Sequence, residues 1–246
     1  MNWSGEATRG MGVSERHFKV KRDSDVIPGI LWVPEELSGP APLVLMGHGG
    51  HREKRDPPML AYARRTVRRH GFAVAAIDAI DHGERGPIVE PDHPAYVELW
   101  KRPETLDRMV ADWKATLDAL VELPEVDGKR VGYWGLSMGT MLGLPLVAAE
   151  SRIKAAVLGL CGFEGSSAIR GRFGERHRRD APNVTCPVMF LVQWDDELFD
   201  REGVFELFDE LGSSDKRLLA NPGKHAAVPA EAVEASREFL GRRLET

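Results

Sequence analysis

A mostly parallel, doubly wound α/β sheet of about eight strands, flanked by helices, is the fold that the sequence predicts. Three observations carry the prediction. From Pro42 onward, short apolar runs without polar alternation, such as 43–46 and 72–78, take turns with stretches of helical period. That is the pattern of strands buried on both faces between covering helices. Glycine, histidine and aspartate gather just after several of those runs, where sites lie in parallel sheets. Finally, Gly135-Leu136-Ser137-Met138-Gly139 stands between a strand-like run, 129–134, and an apolar helix-like run, 140–150. A serine in so tight a strand-to-helix turn has a strained backbone, and side chains two positions either side would collide with the strand and helix.

Taken in order, residues 1–15 are polar and glycine-rich and read as a loose N-terminal arm, with one domain over 16–246. Residues 16–22 alternate, and 26–33 form a second extended run interrupted by Pro28-Gly29; together they predict an antiparallel hairpin at a sheet edge, where proline is tolerated. A buried strand at 43–46 leads into Gly47-His48-Gly49-Gly50-His51, then a helix over about 57–70 capped by Gly71. The strand 72–78 follows, then a loop over 80–103. A helix over about 104–123 carries Leu106, Met109, Val110, Trp113, Leu117 and Leu120 on one stripe. After the serine turn come a strand at 153–160, an irregular stretch at 162–184, a strand at 187–192, a helix over 201–211, a strand at 216–220 and a closing helix over 230–243. No repeat, low-complexity tract or interdomain linker interrupts this order.

Composition excludes several classes. The net charge of −5 over 246 residues argues against a general nucleic-acid binder. No apolar run approaches the ~20 residues that span a bilayer. The N-terminus lacks a basic start followed by an apolar stretch, so a soluble, cytoplasmic protein is expected. Cys161 and Cys186 sit in apolar runs and read as buried free thiols.

A serine hydroxyl is a weak nucleophile unless a base lies within hydrogen-bond reach and a carboxylate orients that base. His225 is the last of eight histidines and follows the last strand; it is the expected base. Asp195, Asp196 and Glu197 follow the strand that ends near Trp194, and one of them, Asp196 in preference to Asp195, is the expected orienting acid. Charge developing on an acyl oxygen calls for preorganised N–H donors. Met138, directly after the serine at a helix N-terminus, supplies one. The turn at His48-Gly49-Gly50-His51 supplies the other, assigned to Gly50 with Gly49 and His51 as near alternatives.

Those motifs, in that order, make the chain resemble an α/β-hydrolase over about residues 16–244, most similar to the dienelactone-hydrolase-like and related small serine esterases. The resemblance implies Ser137 as nucleophile, Asp196 as acid and His225 as base, acting through an acyl-enzyme on esters of small to medium size, with no metal or organic cofactor. Two departures matter. The family's acid loop often opens with glycine, with the aspartate three residues on; here Gln193 holds that place, and counting on from it reaches Asp196. Dienelactone hydrolases proper carry a cysteine nucleophile where this chain has Ser137, which favours ordinary esters. A peptidase or thioesterase with the same triad, and a non-catalytic binding protein of this fold, are the competing readings.

The remaining features take structural readings. His48, His51, Asp81 and His82 lack a metal-site spacing, and His48 is expected to brace the glycine turn. Asp78 and the 81–85 loop are expected to form a local network. The arginines at 170, 172, 176, 178 and 179 read as a solvated surface, with recognition of a substrate carboxylate or phosphate as the sharper alternative. Trp194 and Phe163, with Trp100 and Phe199, are candidate pocket walls. The loops 84–103 and 162–184 are too short for a lid domain and predict a partly open pocket for a small-molecule ester. Oligomeric state is not legible.

Overall fold

The computed structural model describes residues 1–88, 90, 93–165 and 173–245. Nine strands form one sheet: β1 (Asn2–Gly10), β2 (Val13–Arg22), β3 (Asp25–Pro34), β4 (Ala41–Gly47), β5 (Ala73–Ile77), β6 (Val126–Gly135), β7 (Ile153–Gly159), β8 (Val188–Gln193) and β9 (Lys216–Asn221), in the order β1-β2-β3-β5-β4-β6-β7-β8-β9. The three pairings from β1 to β5 are antiparallel, and the five from β5 to β9 are parallel. Among the described residues, seven α-helices cover it: α1 (Pro57–His70), α2 (Pro94–Lys101), α3 (Thr105–Val121), α4 (Met138–Ala149), α5 (Phe173–Asp180), α6 (Arg201–Glu210) and α7 (Ala230–Leu244). This is the α/β-hydrolase fold.

Apolar side chains pack on both faces of the sheet. On one face Leu43, Leu45 and Tyr133 pack with Trp113, Leu117 and Leu144 of α3 and α4. On the other, Trp32, Val44 and Met46 meet Tyr62 and Val67 of α1 and Phe239 and Leu240 of α7. Strands covered on both sides must be apolar at every position, which is why 43–46 and 73–77 show no alternation. The predicted bounds of α1 hold because its ends are chemically marked: Asp56 accepts the Met59 N–H at 3.2 Å, prolines occupy the first turn, and Gly71 closes it at φ 68°.

Several expectations fail for physical reasons. The described residues hold nine strands rather than about eight, because residues 1–15 are not a loose arm. Asn2–Gly10 is β1, paired to β2 from Asn2↔Lys19 to Gly10↔Val13; both its faces are open to solvent, so no hydrophobic pattern marks it. Pro28-Gly29 does not interrupt β3. The missing side chain of Gly29 leaves room for the Phe18 ring of its register partner on β2. The loop 80–103 contains α2, started by His93, which accepts the Ala95 N–H at 3.2 Å. The irregular stretch 162–184 contains α5.

The α4–α5 contact repairs a defect. Pro145 lies inside α4 and has no N–H for the Met141 carbonyl one turn earlier. His177 of α5 donates its Nε2–H to that carbonyl at 2.8 Å, leaving Nδ1 facing the Cys161 thiol at 4.0 Å. Burial holds the His177 imidazole neutral and pushes its pKa down to about 4. His48 is likewise buried and, with His82 beside it, pushed down to about 4. The unfolded chain protonates these rings near pH 6.5, and the native state does so only near 4. Stability therefore falls as pH drops through that window, by roughly 3 kcal/mol per histidine at its lower end. Urea midpoints measured between pH 7 and 4 should follow this slope. His177→Gln, which cannot titrate, should flatten it.

Candidate active site

The strand–turn–helix at Ser137 is built as its glycines require. Ser137 has φ 57° and ψ −122°, a left-handed conformation costing a non-glycine residue on the order of 1–3 kcal/mol. Surrounding bonds hold it. Its N–H donates to the Gly159 carbonyl at 3.0 Å. The Thr140 hydroxyl accepts the Gly159 N–H at 2.8 Å and lies 2.8 Å and 2.7 Å from the Gly135 and Gly159 carbonyls, one of which takes its proton. Tyr133 donates to the Gly139 carbonyl at 2.6 Å. A Cβ on Gly139 would lie 2.5 Å from the Gly47 carbonyl oxygen, so glycine is needed there for close approach. Thr140→Val, near-isosteric and without a hydroxyl, should destabilise by about 2 kcal/mol, the usual cost of a buried N–H left unpaired; a urea melt measures it.

Ser137, Asp196 and His225 come together although the chain separates them widely. His225 Nε2 stands 2.8 Å from Ser137 Oγ, and His225 Nδ1 stands 2.8 Å from Asp196 Oδ2. Asp196 Oδ1 accepts the backbone N–H groups of Leu198 at 2.8 Å and Phe199 at 3.2 Å. With Nδ1–H given to the aspartate, Nε2 presents its lone pair to the serine hydroxyl. The Phe199 ring stacks on the imidazole at 5.9 Å between centroids.

The three adjacent acids all engage the histidine loop, each differently. Asp195 accepts the Gly223 N–H at 3.2 Å, and Glu197 accepts the His225 N–H at 3.0 Å. That bond holds the Glu197 carboxyl below the usual range. Only Asp196 reaches the imidazole, because β8 ends at Gln193 and the turn lifts the third following residue toward β9.

The glycine turn lies beside this line. Gly47 pairs with Gly135 in the β4–β6 register, so the chain leaves both strands side by side, one toward His48-Gly49-Gly50 and the other toward Ser137. His48 braces the turn, donating Nδ1–H to the Gly49 carbonyl at 2.9 Å and accepting the Ala79 N–H on Nε2 at 3.0 Å. A Cβ on Gly50 would lie 2.5 Å from the Tyr96 hydroxyl, so α2 packs over this turn. Tyr96 went unread in the sequence because 80–103 reads as a loop. Met138 is the first residue of α4 and is buried.

Trp194 borders a cavity together with Asp196 and Phe199. Trp194 is 44% exposed, with Arg201 over its ring at 4.3 Å and Phe205 at its edge. Phe163 is buried, with Arg178 over its ring at 4.0 Å. Arg170 and Arg172 lie outside the described residues. Arg176 pairs with Asp107 and Asp180, Arg178 with Glu206, and Arg179 with Asp180. Asp78 is the centre of a buried network: it takes the Lys54 ammonium at 2.6 Å, the Lys54 N–H at 2.9 Å and the Glu84 N–H at 3.0 Å. Among the described residues, no three His, Cys, Asp or Glu side chains converge to hold a metal, and no helix is long and apolar enough to cross a membrane.

The model of the dienelactone hydrolase family matches residues 28–218. The chain belongs to the dienelactone hydrolase family. No curated protein matches it. Among solved structures, it is similar to a polyethylene-glycol-bound complex of a cold-adapted esterase from an Arctic intertidal metagenomic library, at 41% identity over 99% of this chain and 100% of that one, with TM-score 0.88. The native structure of a cold-adapted esterase from an Arctic intertidal metagenomic library gives 37% identity over 99% and 100%, with TM-score 0.82. A dienelactone hydrolase from Anabaena variabilis shares the fold, at 20% identity over 95% and 98% and TM-score 0.69. As a member of the dienelactone hydrolase family, the chain is a carboxylic ester hydrolase.

Proposed function

We propose that the chain is a serine esterase that cleaves small to medium carboxylic esters through a Ser137–His225–Asp196 triad and an acyl-enzyme. The observation that carries the reading is the unbroken line of two 2.8 Å contacts from Asp196 through His225 to Ser137 Oγ. Ser137 Oγ attacks the ester carbonyl while His225 Nε2 takes its proton, and Asp196 stabilises the imidazolium through Nδ1–H. The oxyanion is held by the N–H groups of Met138 and Gly50, the first also at the positive end of the α4 dipole. His225 returns the proton to the leaving alkoxide. It then activates a water that releases the acid and restores the serine. The family's name suggests lactones, and the Arctic relatives are described more broadly as esterases; a serine in place of the cysteine of dienelactone hydrolases proper favours ordinary esters.

The test is a mass shift. A fluorophosphonate probe should add one phosphonyl group to Ser137, and p-nitrophenyl acetate should compete with it. An unlabelled Ser137 in folded protein would overturn the reading.

A further inference from the structure

Gln193 is the last residue of β8, three before Asp196, and is 3% exposed. Its Nε2 lies 3.3 Å from the Pro222 carbonyl, 3.2 Å from that of Lys224 and 3.0 Å from that of Ala227. These three carbonyls bracket His225 on both sides. A side-chain amide carries two N–H donors. Three carbonyl oxygens around one amide position admit only the NH₂ end, since an amide oxygen there would face lone pairs alone, so the orientation of the group is determined. The other end, Oε1, is buried without a partner among the described residues. Gln193 is thus turned wholly toward the His225 loop, at the cost of its own acceptor.

The same loop is held from the acid side by backbone pairing. The Trp194 N–H donates to the Asn221 carbonyl at 2.8 Å, and the Asp195 N–H to the Gly223 carbonyl at 3.0 Å. Those bonds fix the stretch before His225. At His225 itself, Glu197 takes the His225 N–H at 3.0 Å and the Ala227 N–H closes the turn onto the Lys224 carbonyl at 2.9 Å; from β8, the Gln193 amide reaches carbonyls both before and after His225 and so ties the whole turn to the strand. Without the amide, the residues after His225 lose their tie to β8, and the closed turn can tilt as a unit, carrying the imidazole away from Ser137. Triad chemistry tolerates little of this, since displacements on the order of 1 Å can cost about 100-fold in rate.

We infer that Gln193 is a positioning residue for the reaction. By clasping the carbonyls of Pro222, Lys224 and Ala227, it sets the His225 imidazole between Asp196 and Ser137. The inference rests on the triad reading above. The position is the one where glycine often stands in the family this chain resembles, and a glycine could make no such clasp.

Two variants of like length test it. Gln193→Met keeps the shape and removes both donors. Gln193→Glu leaves at most one O–H donor, and that only when its carboxyl is neutral, against three carbonyls. With p-nitrophenyl acetate, kcat should fall about 30-fold in the methionine variant and at least as far in the glutamate variant at pH 7.5, with KM within twofold of the parent. The rate of fluorophosphonate labelling at Ser137 should fall by the same factor. The His225 Nδ1–H should give a downfield proton NMR signal in the parent that broadens or vanishes in the variants while the thermal melt stays cooperative. A merely structural clasp would lower the melting temperature and leave kcat per folded molecule and the Nδ1–H signal untouched; that result, in whichever variant folds, overturns the inference. Failure of the parent itself to label at Ser137 overturns the triad reading instead, so the two failures are distinguishable.

Discussion

Replacing Ser137 by alanine should lower kcat/KM for p-nitrophenyl acetate at least 1,000-fold, about 4 kcal/mol of transition-state stabilisation. Among the described residues, the 2.8 Å contact to Ser137 Oγ is the hydroxyl contact of His225 Nε2. Alanine keeps the Cβ and therefore the backbone requirement at φ 57°. The bonds that hold the turn come from the Ser137 N–H, Thr140 and Tyr133, none of them the Ser137 hydroxyl. Stability should thus stay within about 1 kcal/mol of the parent, as for a substitution that opens no core cavity. Retention of a tenth of the activity in folded Ser137→Ala would refute the assignment of the nucleophile.

The largest effect on stability is expected at a residue that does no chemistry. Asp78 is fully buried and pairs with Lys54, itself only 3% exposed. Burial by itself draws the Lys54 ammonium down, but the hydrogen bonds to Asp78 and Glu84 outweigh it and hold the group above its ordinary value. Asp78→Ala removes the nearer anion and leaves that ammonium with Glu84, whose side chain is half-exposed. It also strands the backbone N–H groups of Lys54 and Glu84. Breaking one side of a buried pair costs about 3–5 kcal/mol. Lys54→Met should cost less, because Asp78 keeps its two backbone donors. The double variant Lys54→Met/Asp78→Ala should then be less destabilised than the sum of the two single changes. Chemical denaturation of the three proteins measures this; strict additivity would mean that the pair is not coupled.

Both arguments start from features of unequal visibility. The turn at Ser137 is legible because so tight a strand-to-helix turn needs small residues at fixed spacing, and Gly135 and Gly139 supply them locally. His225 is legible by elimination, as the last histidine and the one after the final strand. The parallel core is legible because burial on both faces removes polar alternation from 43–46 and 72–78. Asp78 was visible as an acid at a strand end, but not Lys54, which lies 24 residues earlier in a loop without pattern.

Local chemistry, then, settles what a short window can express. The serine turn, the ends of α1 and the apolar strands each rest on contacts within a few residues, and the residue types alone disclose them. What lies across the sheet does not show in this way. The choice of Asp196 among three consecutive acids depends on which carboxylate the end of β8 lifts toward β9, while its neighbours take the Gly223 and His225 backbone N–H groups. The strand at Asn2–Gly10 exists only because β2 pairs with it, since both its faces meet water. The clasp of Gln193 joins residues 29 to 34 positions apart, and its donors find their acceptors only when β8 and β9 lie side by side. Hydrogen bonds of that reach are set by strand order and register, and a linear sequence carries no period that encodes them.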